Sequence, residues 1–365
     1  MTSMTRTNSI SWSARTGVLA VAALTLAGCS VIGGGDGASA PGKGGAAQPL
    51  ELTVVTHDSF SLSEDLLAQF EDENGFDVTF VAPGDAGALV NQLILTKDSP
   101  LGDVVYGIDN SFAARAVDAG VLEPYRTDAL PVGAEQYADD AGALTPVDMG
   151  DVCVNVDHQW FSDAGVPEPV TLEDLTKPEY KDLLVVTNPA TSSPGLAFLL
   201  ATVGAFGEDG WQQYWEQLRD NGVKVVEGWS DAYYVDFSGS EGAGPRPLVL
   251  SYASSPAAEV PENGGEPRTG ALLDTCFRQV EYAGVIAGTQ NQAAAHKFID
   301  FLLSPEAQGD IPGQMYMYPV DEQTELPEAW AAHAPLAEKP FTVAPEDISA
   351  HREDWIATWT ETVIG

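Results

Sequence analysis

The chain has 365 residues and a formal net charge of −38, from 54 acidic against 16 basic side chains. So acidic a surface repels nucleic acid and anionic lipid, which excludes both as partners of the general surface, and it favours the approach of a cation. The three cysteines and five scattered histidines include no C-x-x-C or H-E-x-x-H, and the chain carries no phosphate loop or G-x-S-x-G elbow, so no metal centre and no hydrolytic machinery is spelled out; a phosphate-ester hydrolase is the least supported reading.

At the N-terminus, Arg6 and Arg15 precede a short apolar stretch from Gly17 to Ala27. It has the length of a signal-peptide core and is too short to span a bilayer comfortably. It ends in Leu26-Ala27-Gly28-Cys29, which resembles the bacterial lipobox. That resemblance implies removal of residues 1–28 and lipid on Cys29, so that the protein is anchored to the cell membrane rather than spanning it. Residues 29–49 are rich in Gly, Ala and Pro, with almost no large apolar side chains, and read as a flexible tether. The glycine run from Gly33 to Gly37 has no strand before it and no helix after it, so it is no phosphate loop.

From Leu50 the pattern alternates strand and helix. Leu52 to Thr56 reads as a strand. Ser61-Leu62-Ser63-Glu64 has capping-box spacing before a helix whose Leu66, Leu67 and Phe70 share one face, and Asn74-Gly75 stops it. Phe76 to Val81 is the next strand, Leu89, Val90, Leu93 and Ile94 mark a second helix, and Asp103 to Tyr106 is a third strand. Asn110 is placed to cap a helix ending at Gly120. This βαβαβα series demands a mostly parallel sheet with helices on both faces.

A second series begins near Asp151. Leu183 to Val186 is a strand running into Asn188-Pro189-Ala190-Thr191-Ser192-Ser193-Pro194-Gly195 and an apolar helix from Leu196 to Val203. Leu248 to Leu250 is a strand running into Ser251-Tyr252-Ala253-Ser254-Ser255-Pro256 and another helix. Ser caps well and Pro is tolerated at the first helical position, so both are strand-to-helix turns, and such turns line the ligand crevice of an open parallel sheet. The expected fold is α/β and two-lobed, of the type II periplasmic-binding-protein kind. Residues 50–148 plus 281–365 form one lobe and 149–280 the other, each a mixed, mostly parallel sheet flanked by helices, with the ligand cleft between them. Cys153 and Cys276 form either a disulfide, which persists outside the cytoplasm, or two buried thiols.

The segment Ala295 to Gln308, a helix broken at Ser304-Pro305 and followed by a second short helix, resembles one widespread in solute-binding proteins. The resemblance narrows to the thiamine-binding proteins of ABC importers. It is carried by Thr56-His57-Asp58-Ser59-Phe60, Val81-Ala82-Pro83-Gly84-Asp85, Gly107-Ile108-Asp109-Asn110, Thr191 to Leu196, Glu227-Gly228-Trp229-Ser230-Asp231-Ala232-Tyr233, Leu250 to Ala257, Ile311-Pro312, Met317 to Val320 and the helix around Arg352 to Trp359. These segments run in order along nearly the whole mature chain. The family resemblance implies an extracytoplasmic monomer without cofactor or catalytic activity. It would bind a small thiamine-like molecule and dock on an ABC permease.

Thiamine carries a fixed thiazolium cation and a neutral aminopyrimidine. Ser192 and Ser193 stand at a helix start that favours a phosphate. Trp229 is placed to pack on the ligand and donate its indole N–H, Tyr252 faces the same rim, and the resemblance implies that Asp85 bonds the aminopyrimidine. The departures thin the family's aromatic cage: His57 stands where Tyr is usual, Tyr316 where Trp is usual, Ala258 where Tyr is expected, and a Trp is missing after Phe60. The alternative ligand is ferric iron, held by Tyr233 and Tyr234 with His57 and Asp58.

Overall fold

The structure is a computed structural model that describes residues 49–139, 141–240, 244–261 and 264–365. The signal-peptide, lipobox and tether readings, Cys29 included, lie outside the described residues apart from Pro49.

The first half alternates as its apolar periodicity demands. Strand β1 (Leu50–Thr56) leads to α1 (Glu64–Asn74), β2 (Phe76–Val81), α2 (Ala86–Leu95), β3 (Val104–Asp109), α3 (Ala113–Ala119) and the short β4 (Leu122–Glu123). Two caps differ from expectation. The Ser61 hydroxyl turns to Gln314 and the helix starts only at Glu64, with the Ser63 amide donating to Asp310 of a distant helix. Asn110 does not cap α3; its side chain bonds the backbone of Arg278 and Val280 on a neighbouring strand instead. In both cases a tertiary partner outbids a local bond. The stop at Gly75 holds, in the left-handed conformation that glycine adopts without strain.

Next come the 13-residue β5 (Thr145–Asp157) and α4 (His158–Ala164). The second half then repeats the scheme with β6 (Leu184–Thr187), α5 (Ser193–Phe206), α6 (Trp211–Asp220), β7 (Lys224–Val226), β8 (Leu248–Tyr252) and the one-turn α7 (Ser255–Ala258). The 18-residue β9 (Thr269–Ile286) follows, then α8 (Gln292–Leu302), α9 (Pro305–Gln314), β10 (Tyr318–Pro319), α10 (Glu328–His333) and α11 (Pro345–Val363).

All strands join one sheet in the order β2-β1-β3-β9-β5-β8-β6-β7, with β10 on β5 and β4 on β9. Each half is three parallel strands with the first in the middle, β2-β1-β3 and β7-β6-β8. The long antiparallel strands β5 and β9 lie between them, paired along nearly their whole lengths. They are joined by a disulfide between Cys153 and Cys276, both fully buried.

Helices cover the sheet as their apolar faces require. On α8, Ala294, Ala295, Phe298, Ile299 and Leu302 are buried, and Phe70 packs edge-on against Phe298 and stacked on Phe301. Removing a ring such as Phe298 from a packed core costs about 3–5 kcal/mol. The C-terminal α11 touches both halves: it packs largely on α6, with Trp359 edge-on to Trp215 at 5.4 Å and Arg219 bonded to the Thr362 carbonyl, and also meets α3. No helix among the described residues is long and apolar enough to cross a membrane.

Candidate functional site

The carboxyl ends of five of the six parallel strands, all but β3, supply residues to one cleft, as an open α/β sheet dictates. The cleft holds about 470 Å³ of empty space open to solvent. His57 and Ser59 follow β1, Asp85 follows β2, Pro194 opens α5 after β6, Trp229 follows β7, and Tyr252 and Ser255 close β8. Glu281 rises from β9, and Met315, Tyr316 and Met317 come from the turn between α9 and β10.

Five of the seven candidate ligand-binding residues thus meet: His57, Asp85, Trp229, Tyr252 and Tyr316. Ser192 and Ser193 are buried and do not line the cleft. The Ser192 hydroxyl donates to Thr187 at 2.9 Å and that of Ser193 to Asp109. The helix start they were expected to offer a phosphate is met by protein carboxylates. Ala258 is exposed on α7 and does not line the cleft.

Asp85 crosses the cleft. Its carboxylate caps α2 through the Ala86 amide at 2.7 Å, and accepts from the amides of Ser193 at 3.3 Å and Trp229 at 3.1 Å in the second half. Burial raises its pKa above the usual carboxylate value, against the pull of Ser192, the Ala86 amide, His57 and the Trp229 amide. Gly87 makes the approach close: a Cβ there would lie 2.7 Å from the Ala190 carbonyl oxygen, and the next amide, of Ala88, donates to Thr191 at 3.1 Å.

His57 lies almost buried over Gly107, where a Cβ would come 2.2 Å from the ring, and Gly107 has a φ of +96° that side chains rarely adopt. Its Nδ1 accepts from the Ser59 amide at 3.2 Å, and its buried Nε2 faces Glu281 at 3.6 Å without a hydrogen bond. Burial works against charge on the ring, but Glu281, with Asp85 and Asp58 further off, leaves the pKa above the ordinary histidine value. Burial likewise opposes charge on Glu281, yet His57 and hydrogen bonds hold its carboxyl below the usual range. Burial and the neighbouring Glu281 push Asp148 well above it. Burial drives Asp109 up to about 7.

The indole of Trp229 is 8% exposed and stacks on Tyr233 at 5.0 Å, while its N–H donates to Ser251 at 2.9 Å rather than pointing into the cleft. Tyr316 has a φ of 57°, held where its carbonyl accepts from the Ser254 hydroxyl. The cleft therefore has aromatic and thioether walls from Trp229, Tyr252, Tyr316, Met315 and Met317, above a floor carrying the carboxylates of Asp85 and Glu281. Such a site attracts a flat organic cation. Tyr233 is buried behind Trp229, donating its hydroxyl to Glu259, and neither it nor Tyr234 lines the cleft. Among the described residues no group of three or more His, Cys, Asp or Glu is placed to hold a metal ion.

Sequence reasoning missed Glu281, Ser255, Pro194, Ser59, Met315 and Met317. Glu281 had a signal: a carboxylate inside the otherwise largely apolar stretch from Val280 to Ile286.

Known proteins share this fold. The family model for bacterial extracellular solute-binding proteins matches residues 99–343. The thiamine-binding periplasmic protein of Brucella melitensis is 30% identical over 317 residues, 85% of this chain and 91% of the relative. That of Escherichia coli is 30% identical over 325 residues, 87% and 94% respectively. The solved structure of a periplasmic thiamin binding protein superposes with a TM-score of 0.76 at 28% identity, covering 87% of this chain and 98% of that one. A ferric binding protein from Campylobacter jejuni, at 17% identity and a TM-score of 0.68 over 85% and 99%, shares the fold. The architecture is the two-lobed, type II periplasmic-binding-protein fold. From the matched family model and the relatives that span its length, the chain belongs to the family of bacterial extracellular solute-binding proteins.

Proposed function

We propose that this protein captures thiamine, or a relative carrying the same thiazolium cation, outside the cytoplasmic membrane and delivers it to the permease of an ABC importer. The observation that carries the reading is the cleft's pairing of aromatic walls with two carboxylates, the half-buried Asp85 and the buried Glu281. A flat cation gains there from ring faces and from charge in a low-dielectric site. The names of the relatives point to the same ligand.

Capture works by closure of two lobes, 50–148 with 281–365 and 149–280, about the long strands β5 and β9, with α11 reaching across to the second lobe. Asp85 bridges both sides and makes the ligand part of the closing bond. Ligand drives closure only by its greater affinity for the closed form. Because the Ser193 amide and hydroxyl bond Asp85 and Asp109, the unphosphorylated vitamin ranks above its phosphate esters. Residues 1–28 are a signal peptide, Cys29 carries the lipid anchor, residues 29–49 are the tether, and the protein acts as a monomer.

The test is isothermal titration of protein stripped of ligand by unfolding and refolding, with thiamine, thiamine monophosphate and thiamine diphosphate in parallel. Saturable binding with thiamine tightest is expected. Absence of binding by all three to a refolded protein overturns the reading.

A further inference from the structure

A second pocket lies outside the cleft, between α3 and α11, with about 480 Å³ of empty space. Its polar lining is Ser111, Arg115, Asp118, Ser349, Arg352 and Glu353. Arg352 is 6% exposed, and its guanidinium rests on the Phe112 ring at 4.4 Å. Its buried Nε meets no acceptor among the described residues. Arg115 enters from the other wall, with one N–H on Asn91 and its Nε only 3.9 Å from Glu353, whose side chain is 83% exposed.

This placement is costly. A buried cation needs a partner or a set of acceptors, and a chain with 54 acidic residues against 16 basic ones has carboxylates to spare. Instead two arginines converge, and the Nε of the more buried one is without an acceptor among the described residues. Burial, then Arg115, press the pKa of Arg352 down to about 10, so it is charged at neutral pH. Asp109, behind the wall, already accepts from Ser111 and Ser193. Asp118 and Glu353 are exposed at the rim rather than seated on Arg352.

We propose that this pocket is a second binding site, taking a phosphate- or sulfate-sized oxyanion between the guanidinium groups of Arg352 and Arg115, with the Ser349 hydroxyl as a further donor. Planar guanidinium forks match tetrahedral oxyanions. The net charge of −38 gives the general surface no attraction for anionic headgroups, so the anion comes from solution. Since α11 packs largely on α6 while α3 belongs to the first half, a bound anion ties the two halves together.

Equilibrium dialysis of the full chain against labelled inorganic phosphate, with chloride holding ionic strength constant, tests the site. One saturable equivalent is expected. Arg115→Gln, a change at a partly exposed side chain, weakens it about ten-fold or more, the loss of one charge-assisted contact. Arg352→Lys tests the buried side, but Arg115→Gln decides should that variant fail to fold. Selenate diffused into crystals places its anomalous peak between Arg115 and Arg352. No saturable binding, phosphate binding unchanged in Arg115→Gln, or a selenate peak only in the cleft each overturns the proposal.

Discussion

Asp85 does two jobs that sequence reasoning would assign separately. It caps a helix and ties one half of the molecule to the other through the amides of Ser193 and Trp229. Asp85→Ala is expected to lower affinity for the ligand about ten- to a hundred-fold, the worth of a hydrogen bond to a charged group. Trp229→Ala removes a cleft wall and is expected to cost about ten-fold or more, in line with a desolvated cation–π contact. Titration of both variants, with circular dichroism to verify folding, checks this; unchanged affinity in both would remove the cleft from consideration.

The buried acids also set a pH dependence. Asp109, raised to about 7, holds its proton in the folded state where the unfolded chain has released it, so its contribution to stability falls as pH rises from about 4 to about 7. His57, also raised, contributes fully below about pH 6.5 and loses its contribution as pH climbs through the folded value. Asp157, Asp174 and Glu281 are lowered, so their contributions are lost only at acid pH. The ligand-free protein is therefore expected to show a falling Tm from pH 5 to pH 8, with Asp109→Asn flattening the slope. A Tm flat or rising over that window contradicts the assignment. Affinity for a fixed cation moves oppositely, rising with pH as Asp109 ionises.

At the scale of elements, β3 shows how one residue type serves both the strand and the site. Gly107 lies within it, at a shift in its register with β9, with a positive φ that frees the space His57 fills. Gly107→Ala adds a strained backbone and a collision with the ring, expected to destabilise by about 1–3 kcal/mol. It displaces His57 from Glu281 as well. Denaturant unfolding reads the first effect and ligand titration the second; wild-type behaviour in both would show that the ring moves freely. The caps of α1 and α3 teach the complementary lesson. The Ser-x-x-Glu spacing and Asn110 were sound local signals, but their side chains or neighbours found partners on α9 and β9.

Across the whole molecule, the two halves are held by β5 and β9 and by the bond between Cys153 and Cys276, 123 residues apart in the sequence. Closing so long a loop restricts the unfolded chain, and chain-entropy reasoning gives about 4–5 kcal/mol for it. Cys153→Ala with Cys276→Ala is expected to lower stability toward that figure, allowing for the buried volume lost, while leaving the cleft able to bind. Urea unfolding of the variant reads the loss. Stability equal to that of the wild type would show that the bridge constrains nothing.

The order of strands and helices in the first half and the two strand-to-helix turns that open α5 and carry Tyr252 follow from local periodicity and turn chemistry, and were legible in the residues alone; the segments carrying Asp85 and Trp229 and the break at Ser304-Pro305 were marked by the family resemblance, while α6 and β7 were not foreseen. The lengths of β5 and β9 were not, because antiparallel strands buried between two halves alternate no apolar face toward water. Glu281 was hidden with them. Nor could spacing show that Asp85 and Asp109 take up the start of α5, that Trp229 spends its N–H on Ser251, or that α11 leaves Arg352 facing a pocket. Each of these depends on which distant groups arrive first at a polar atom. Only the packed chain decides that, since a buried donor or acceptor bonds whatever partner the fold brings within reach.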